Sequence, residues 1–206
     1  MKYQDLINII PAQISGKEIE VDASIEMRDQ IEGKQFYQTV KGRLLRVNSW
    51  HQLAGVVSAE FQLVDSDGLA VDRNAIQGDY IRIDIPGPGS TAGDGYDWVR
   101  IEELKEVEAD NNQSIGFRVR PAKDPGSDKN EVAHFYSEES TSVFIVTRES
   151  TKIIAWIIDS NVSPGVNSHS ITGKIRDITV GLGAVGIFSK LQWQNLVNGL
   201  VRNTIE

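Results

Sequence analysis

The chain has 206 residues, 40% of them hydrophobic and 24% charged, with a formal net charge of −8 and no cysteine. This composition is typical of a globular protein and disfavours nucleic acid and anionic membranes, which require a basic surface. The lack of cysteine excludes disulfides, thiol catalysis and cysteine-based zinc sites. Without a signal segment or a run of ~20 apolar residues, the chain is predicted to be cytoplasmic, without a membrane span.

The N-terminal half begins with a lead-in over residues 1–16, whose Leu6, Ile9 and Ile10 we expect to pack by an apolar edge. Strict alternation over residues 18–27 predicts a half-buried strand. Apolar residues at helical spacing then predict a helix over 34–48, and Trp50 is expected to anchor it to the core.

Strand patterns dominate residues 56–158. The segments predicted as strands are 59–64, 80–85, 98–108, 115–120, 132–135, 141–148 and 152–158. The last two, joined across Glu149-Ser150-Thr151, are apolar on both faces, which predicts a central hairpin covered on each side.

The C-terminal region 169–203 has two sets of apolar residues at helical spacing, separated by the glycine-rich stretch 181–186. Ser189 and Gln192 fit a capping box, with Phe188 and Trp193 as a hydrophobic staple. The pattern therefore predicts two helices, 169–185 and 190–203, with one continuous helix as the alternative. The glycines could also line a pocket, but a helix terminus explains them more simply.

The order of strand, helix, antiparallel strands and terminal helix over residues 18–203 resembles the START-like, or helix-grip, domains. The resemblance implies an α+β fold in which a curved antiparallel sheet of six to eight strands packs on the C-terminal helices. It also implies a cavity between sheet and helices, often used for apolar small molecules. We expect one domain over residues 1–206, comprising the lead-in, the part from 18 to 158, and the cap from 169 to 203. A generic α+β sandwich or a closed barrel with a helical cap is the alternative fold.

Several polar motifs are candidates for chemistry. The loop 86–95 is rich in Gly and Pro and is a candidate lid, or a plain connection between strands. Asp65, Asp67 and Gly68 fit a hairpin turn better than a calcium loop, and the histidines lack the spacing of a helix-borne metal pair. No metal and no cofactor is therefore predicted.

Arginines on the strands, Arg100, Arg118, Arg120 and Arg148, allow two interpretations. Clustered inside a cavity they would bind a carboxylate or phosphate. On an outer face they would pair with Glu102, Glu103 and Glu149.

The hypothesis favoured by the sequence is a non-enzymatic protein that binds an apolar or amphipathic small molecule between sheet and terminal helices. The predicted ligand-binding residues are Trp98, Phe117, Arg118, Arg120, Phe144, Trp156 and Trp193. The arginines would orient an acidic head group. One alternative is a cyclase- or hydrolase-like enzyme using His134 with Asp94 or Asp97. Another is a homodimeric interaction module completed by the terminal helix.

Overall fold

The computed structural model describes residues 6–55, 59–85, 92–109, 111–128, 131–163 and 182–203. Two short 3-10 helices, Ile7–Ile9 and Val47–Ser49, accompany the main elements. Those elements are β1 (Lys17–Glu26), α1 (Gln30–Leu45), α2 (Trp50–Ala54), β2 (Glu60–Val64), β3 (Tyr80–Asp84), β4 (Asp97–Glu108), β5 (Asn112–Pro121), β6 (Thr141–Glu149), β7 (Lys152–Val162) and α3 (Leu182–Leu200).

All seven strands form one antiparallel sheet in the order β1-β7-β6-β5-β4-β3-β2. The sheet curves around α3, with α1 and α2 on the same concave side. This is the α+β helix-grip arrangement predicted from the order of elements, and the expected number of strands is confirmed.

The hairpin β6–β7 is buried on both faces, as its sequence predicted. Along β7, Ile153, Ala155 and Ile157 belong to the concave core, whereas the alternate residues Ile154, Trp156 and Ile158 belong to a second, convex cluster. The two-residue period of a strand produces this division. Odd-numbered residues from 153 to 157 in β7 therefore face α3, and the even-numbered residues from 154 to 158 face the opposite side.

The lead-in covers the convex face. Leu6 and Ile9 are fully buried there against β6 and β7. Gly116 allows this close approach, because a Cβ at that position would lie 2.9 Å from Ile9 Cδ1 and 3.0 Å from the carbonyl oxygen of Phe144. Asn161 fixes the next residues, since its Oδ1 accepts hydrogen bonds from the backbone N–H groups of Ile14 (2.7 Å) and Ser15 (3.1 Å).

The first helix begins earlier than predicted. Asp29 is the N-cap of α1, and its side chain accepts from the N–H groups of Ile31 and Glu32, both at 2.9 Å. The helix ends at Leu45, and Trp50 begins the short α2 with a 1% exposed side chain in the concave core. The sequence pattern missed the start because the first turn is polar and carries no apolar period.

The predicted break in the terminal helix is wrong. α3 runs without interruption from Leu182 through Gly186 to Leu200, while residues 169–181 of the first predicted helix lie outside the described residues. Ser189 and Gln192 lie in the middle of α3, and their buried side chains hydrogen-bond to residues outside the helix. Ser189 Oγ lies 2.9 Å from the Tyr136 hydroxyl, and Gln192 Oε1 accepts from the Ala59 N–H at 3.2 Å. The two residues have the spacing of a capping box, but their side chains serve tertiary hydrogen bonds and do not cap a helix.

One predicted strand is also absent. Residues 132–135 form an irregular segment that crosses the end of the sheet, held by hydrogen bonds from Trp98 N–H to the Ala133 carbonyl (2.7 Å) and from Ala133 N–H to the Ala122 carbonyl (3.0 Å). This segment carries His134, Phe135 and Tyr136 to the cavity described below.

Candidate functional site

A cavity of about 40 Å³ lies between the concave face of the sheet and α3. It sits at the end of the sheet where β4 and β6 begin and β5 and β7 end. The lining residues come from the helices, the strands and the segment 131–140, and are Trp50, Phe61, Ile81, Ile83, Ile85, Val99, Val119, His134, Phe135, Tyr136, Ser142, Phe144, Ser189, Gln192 and Trp193.

Aromatic rings fill most of the space below the cavity. Trp50 lies 4.8 Å from Phe144 and 5.3 Å from Phe61 between ring centroids, and Phe144 meets Trp193 edge-on at 5.3 Å. Such offset and edge-to-face pairs are favourable packing geometries. A drug-sized site generally needs about 300 Å³ or more, so the cavity that the described residues form is much smaller than such a site. At about 40 Å³ the cavity has room for two or three waters.

The cavity wall also has a polar end. The Tyr136 hydroxyl and Ser189 Oγ hydrogen-bond to each other at 2.9 Å, and the hydroxyl-bearing Ser142 lies on the adjacent strand β6. Burial raises the pKa of the Tyr136 phenol, and the nearby charge of Asp159 raises it further. Tyr136 is therefore neutral at physiological pH.

His134 is held as a neutral ring. Its Nδ1 accepts the N–H of Tyr136 at 2.9 Å, and its ring stacks on Phe135 with centroids 4.5 Å apart. Because Nδ1 is an acceptor, the proton of the neutral imidazole resides on Nε2. Burial lowers the pKa of His134 to about 3, so this side chain is a donor and acceptor but not a cation near neutral pH.

Asp159 is a fully buried carboxyl directly behind the polar end. Trp193 Nε1–H donates to its Oδ2 at 2.9 Å, whereas its Oδ1 has no hydrogen-bond partner within the described chain. Burial raises the pKa of Asp159 to about 6, and the nearby Ser142 and Trp193 donors offset the shift only in part. Ser142 is its neighbour across the β6–β7 ladder.

Asp97 is a second buried carboxyl on the concave face, opposite Ile83 in the sheet and 5% exposed. Burial raises its pKa to about 7, and a hydrogen bond with the backbone of Phe135 acts in the opposite direction. Its Oδ1 also lacks a partner among the residues that the structure describes. Both Ile83 and Phe135 line the cavity, so the two carboxyls flank it.

The predicted wall residues divide between the two faces of the sheet. Phe144 and Trp193 line the cavity, and Phe117 stacks beneath them, 5.1 Å from Phe144. Trp98 and Trp156 lie on the convex side in separate apolar clusters.

The two predicted head-group ligands also lie on the convex face. Arg118 and Arg120 donate through Nε to the two carboxylate oxygens of Glu102, at 3.0 and 2.8 Å. Arg118 Nη1 also donates to the Ile9 carbonyl at 3.2 Å. The geometry matches the ion-paired alternative and places no described arginine in the cavity wall.

The hypothesis that His134 acts with Asp94 or Asp97 has no hydrogen bond in its support among the described contacts. Nδ1 of His134 is occupied by the Tyr136 N–H, and no hydrogen bond to either aspartate is present among the described contacts. Asp94 lies in the tight turn 92–95, next to residues 86–91 of the candidate lid, which are outside the described part of the chain. Asp65 caps its own turn by accepting from the N–H groups of Asp67 and Leu69, at 3.0 and 2.9 Å.

Sequence reasoning missed Trp50 and Phe61 as wall residues, and Tyr136, Ser142 and Asp159 at the polar end. One signal was available for Asp159, a charged residue that immediately follows the apolar run 153–158. A carboxyl in a buried strand needs a partner or a function.

A larger depression of about 600 Å³ runs along the outside of α1. Its charged groups already have partners: Arg28 pairs with Glu32, and Arg43 donates to the carbonyl oxygens of Leu200 and Arg202 at 2.8 and 2.7 Å. Arg43 thereby caps the end of α3, a structural role.

Within the described chain, no helix is both long and apolar enough to cross a membrane. The described residues likewise contain no group of three or more His, Asp or Glu side chains placed to hold a metal ion.

No protein-family model and no curated protein matches the chain. Solved structures similar to it include a hypothetical protein from Helicobacter pylori, with 11% identity, a TM-score of 0.48, and coverage of 89% of this chain and 87% of that one. A norcoclaurine synthase point mutant from Thalictrum flavum has 9% identity, a TM-score of 0.36, and coverage of 90% and 98%. A major latex-like protein from Panax ginseng has 10% identity, a TM-score of 0.38, and coverage of 88% and 97%. At these identities the neighbours define no activity for this chain.

Proposed function

We propose that this protein binds a small amphipathic molecule in the cavity between the concave face of the sheet and α3. The observation that carries the proposal is the composition of the wall, in which aromatic and aliphatic side chains surround one polar end built from Tyr136, Ser142 and Ser189. Small-molecule sites combine an apolar lining with a few convergent polar groups in this way.

The small volume limits what binds and how. A dry apolar cavity of about 150 Å³ accommodates benzene, so a ligand of six or seven heavy atoms requires this cavity to widen. Trp193 and Phe61 are the wall groups best placed to move, because α3 carries one and the short edge strand β2 carries the other. We therefore expect weak binding of short-chain molecules and a loss of affinity with bulkier ones.

A cavity-filling substitution tests the proposal. Val119 lines the cavity and is 3% exposed, so Val119→Phe places four additional carbons in or beside the open space. Tryptophan fluorescence measures the binding of 1-hexanol, which should be saturable in the wild type. In Val119→Phe the affinity should be at least about tenfold lower, because the larger side chain leaves no room for the ligand.

Val107→Phe is the matched control. Val107 lies on β4 and is only partly buried, against the convex cluster, so the same change of side chain leaves the cavity unaltered. Binding to this variant should equal that of the wild type. Equal affinity in all three proteins, or no saturable binding in the wild type, would contradict the proposal.

A further inference from the structure

Charged residues lie on both faces of the sheet near the cavity, but the cations are on the convex face only among the residues named here. Arg118 and Arg120 occupy the convex side of β5, while the buried Asp97 and Asp159 occupy the concave side of β4 and β7. Among the lining residues that the structure describes, none is a lysine or arginine. The only ionisable lining groups in that described set are His134 and Tyr136, and both are neutral at physiological pH.

We propose that the ligand's polar end is a cationic nitrogen, a primary amine or a close equivalent, bound beside Asp159. The inference rests on the proposed function and specifies its ligand. It reverses the charge preference expected from the sequence, in which arginines would have oriented an acidic head group.

Asp159 has the geometry that such a ligand requires. Its side chain is fully buried, Trp193 Nε1–H donates to Oδ2 at 2.9 Å, and the Ser142 hydroxyl is close enough to lower the pKa of the carboxyl. Oδ1 has no partner in the described chain, although a carboxylate can accept about four hydrogen bonds. Asp159 is not itself in the cavity wall, but three of its neighbours are, namely Tyr136, Ser142 and Trp193, so the carboxyl lies directly behind the polar end of the wall.

The electrostatics favour a cation over a neutral or anionic group. Interactions between charges are several times stronger in a buried site than in water, because the surroundings screen them less. Asp97 adds a second acidic group on the same face. A carboxylate ligand would meet two like charges, with no described cation in the wall to offset them.

An organic cation fits better than a metal ion. The described residues contain no group of three metal-ligating side chains, and most of the wall is apolar. Apolar walls stabilise an alkyl or aryl body by burial, while Asp159 selects the charged end.

The test uses three probes of matched length, 1-hexylamine, 1-hexanol and hexanoate, titrated at pH 8. At this pH both carboxyls are ionised, since their pKa values lie at about 6 and 7, and the amine remains protonated. The wild type should bind hexylamine at least about tenfold more tightly than hexanol, and hexanoate most weakly, because an opposite charge at this range is worth one or more powers of ten.

Asp159→Asn should lower the ratio of amine to alcohol affinity at least about tenfold. The matched control is Asp84→Asn, the same change at an exposed position at the end of β3, which should keep the wild-type order. Equal affinities for amine and alcohol in the wild type, or an amine preference that survives in Asp159→Asn, would overturn the inference while leaving the cavity as a binding site. If none of the three probes binds, the proposed function fails, and this inference fails with it.

A second measurement applies if Asp159→Asn does not fold. The titratable groups around the cavity in the described chain are Asp97, His134, Tyr136 and Asp159, and only the two aspartates change charge between pH 5 and pH 8. The ratio of amine to alcohol affinity in the wild type should therefore fall as the pH is lowered from 8 to 5. A ratio that does not change with pH would count against the inference.

Discussion

Asp159 follows six apolar residues in β7, and its side chain is completely buried. A carboxylate in such a place costs free energy of folding, because water no longer solvates the charge. The shift of its pKa from 3.8 to about 6 corresponds to about 3 kcal/mol of destabilisation once the group is ionised. Strongly shifted pKa values of this kind cluster at functional sites.

Asp159→Asn should stabilise the protein at high pH and change little at low pH. The folded-state pKa is raised, so the favourable contribution of the protonated form is complete below pH 3.8 and is lost as the pH rises through about 6. We expect the free energy of unfolding of Asp159→Asn to exceed that of the wild type by about 1–3 kcal/mol at pH 8, and by much less at pH 4. Urea unfolding at the two pH values measures the difference.

The effect of Asp159 must be measured as a difference between variant and wild type, because His134 changes the free energy of unfolding with pH in the opposite direction. Its pKa is lowered from 6.5 to about 3, so the stability that it contributes is present above pH 6.5 and is lost as the pH falls through about 3. The wild-type profile therefore contains partly cancelling terms. A stabilising effect of Asp159→Asn that is equal at pH 4 and pH 8 would contradict the account of Asp159.

At the scale of elements, the contact between α2 and α3 depends on one glycine. A Cβ at Gly199 would collide with the carbonyl oxygen of Leu53, which is a backbone atom and not the end of a flexible side chain. Close contact between these helices places α3 over the sheet, and with it the cavity.

Gly199→Ala should lower the free energy of unfolding by about 1–3 kcal/mol, because the helices must separate to admit the methyl group. Gly42→Ala is the matched control, since Gly42 lies near the end of α1, where an added methyl group would meet no atom of the described chain within 4 Å. That change should stabilise the protein by about 0.5–1 kcal/mol through higher helix propensity. Thermal unfolding of the two variants and the wild type measures both effects. A neutral or stabilising effect of Gly199→Ala would contradict the close contact between α2 and α3.

The elements themselves were largely predictable from the sequence. Alternation over 18–27 and the double apolar pattern of the hairpin arms depend only on the two-residue period of a strand, and both predictions are confirmed. The pattern failed where polar residues have distant partners. Ser189 and Gln192 satisfied the spacing of a capping box, yet they bind Tyr136 and Ala59.

The site was much less predictable than the fold. Alternation indicates which residues share a face, but both faces of this sheet bury apolar clusters, so nothing in the pattern distinguished concave from convex. Trp98 and Trp156 were expected in the wall and lie on the other side. Tyr136 belongs to an irregular segment, which has no period to interpret.

At the scale of the whole molecule, the two faces of the sheet differ in how they are covered. The convex face is closed by the lead-in and by ion pairs such as Arg118–Glu102, whereas the concave face retains a cavity with unsatisfied carboxyl oxygens beside it. For the proposed ligand, the small volume of this cavity requires the wall to move on binding.

The indole signals of the four tryptophans test ligand binding in this cavity most directly. Trp193 lines the cavity and donates its Nε1–H to Asp159, Trp50 lines it from α2, and Trp98 and Trp156 lie on the convex face. In a titration of the ¹⁵N-labelled protein with 1-hexanol, assigned by Trp→Phe substitutions, the signals of Trp193 and Trp50 should shift saturably while those of Trp98 and Trp156 stay in place. A titration in which Trp193 does not shift, or in which all four signals move alike without saturation, would contradict binding between the sheet and α3.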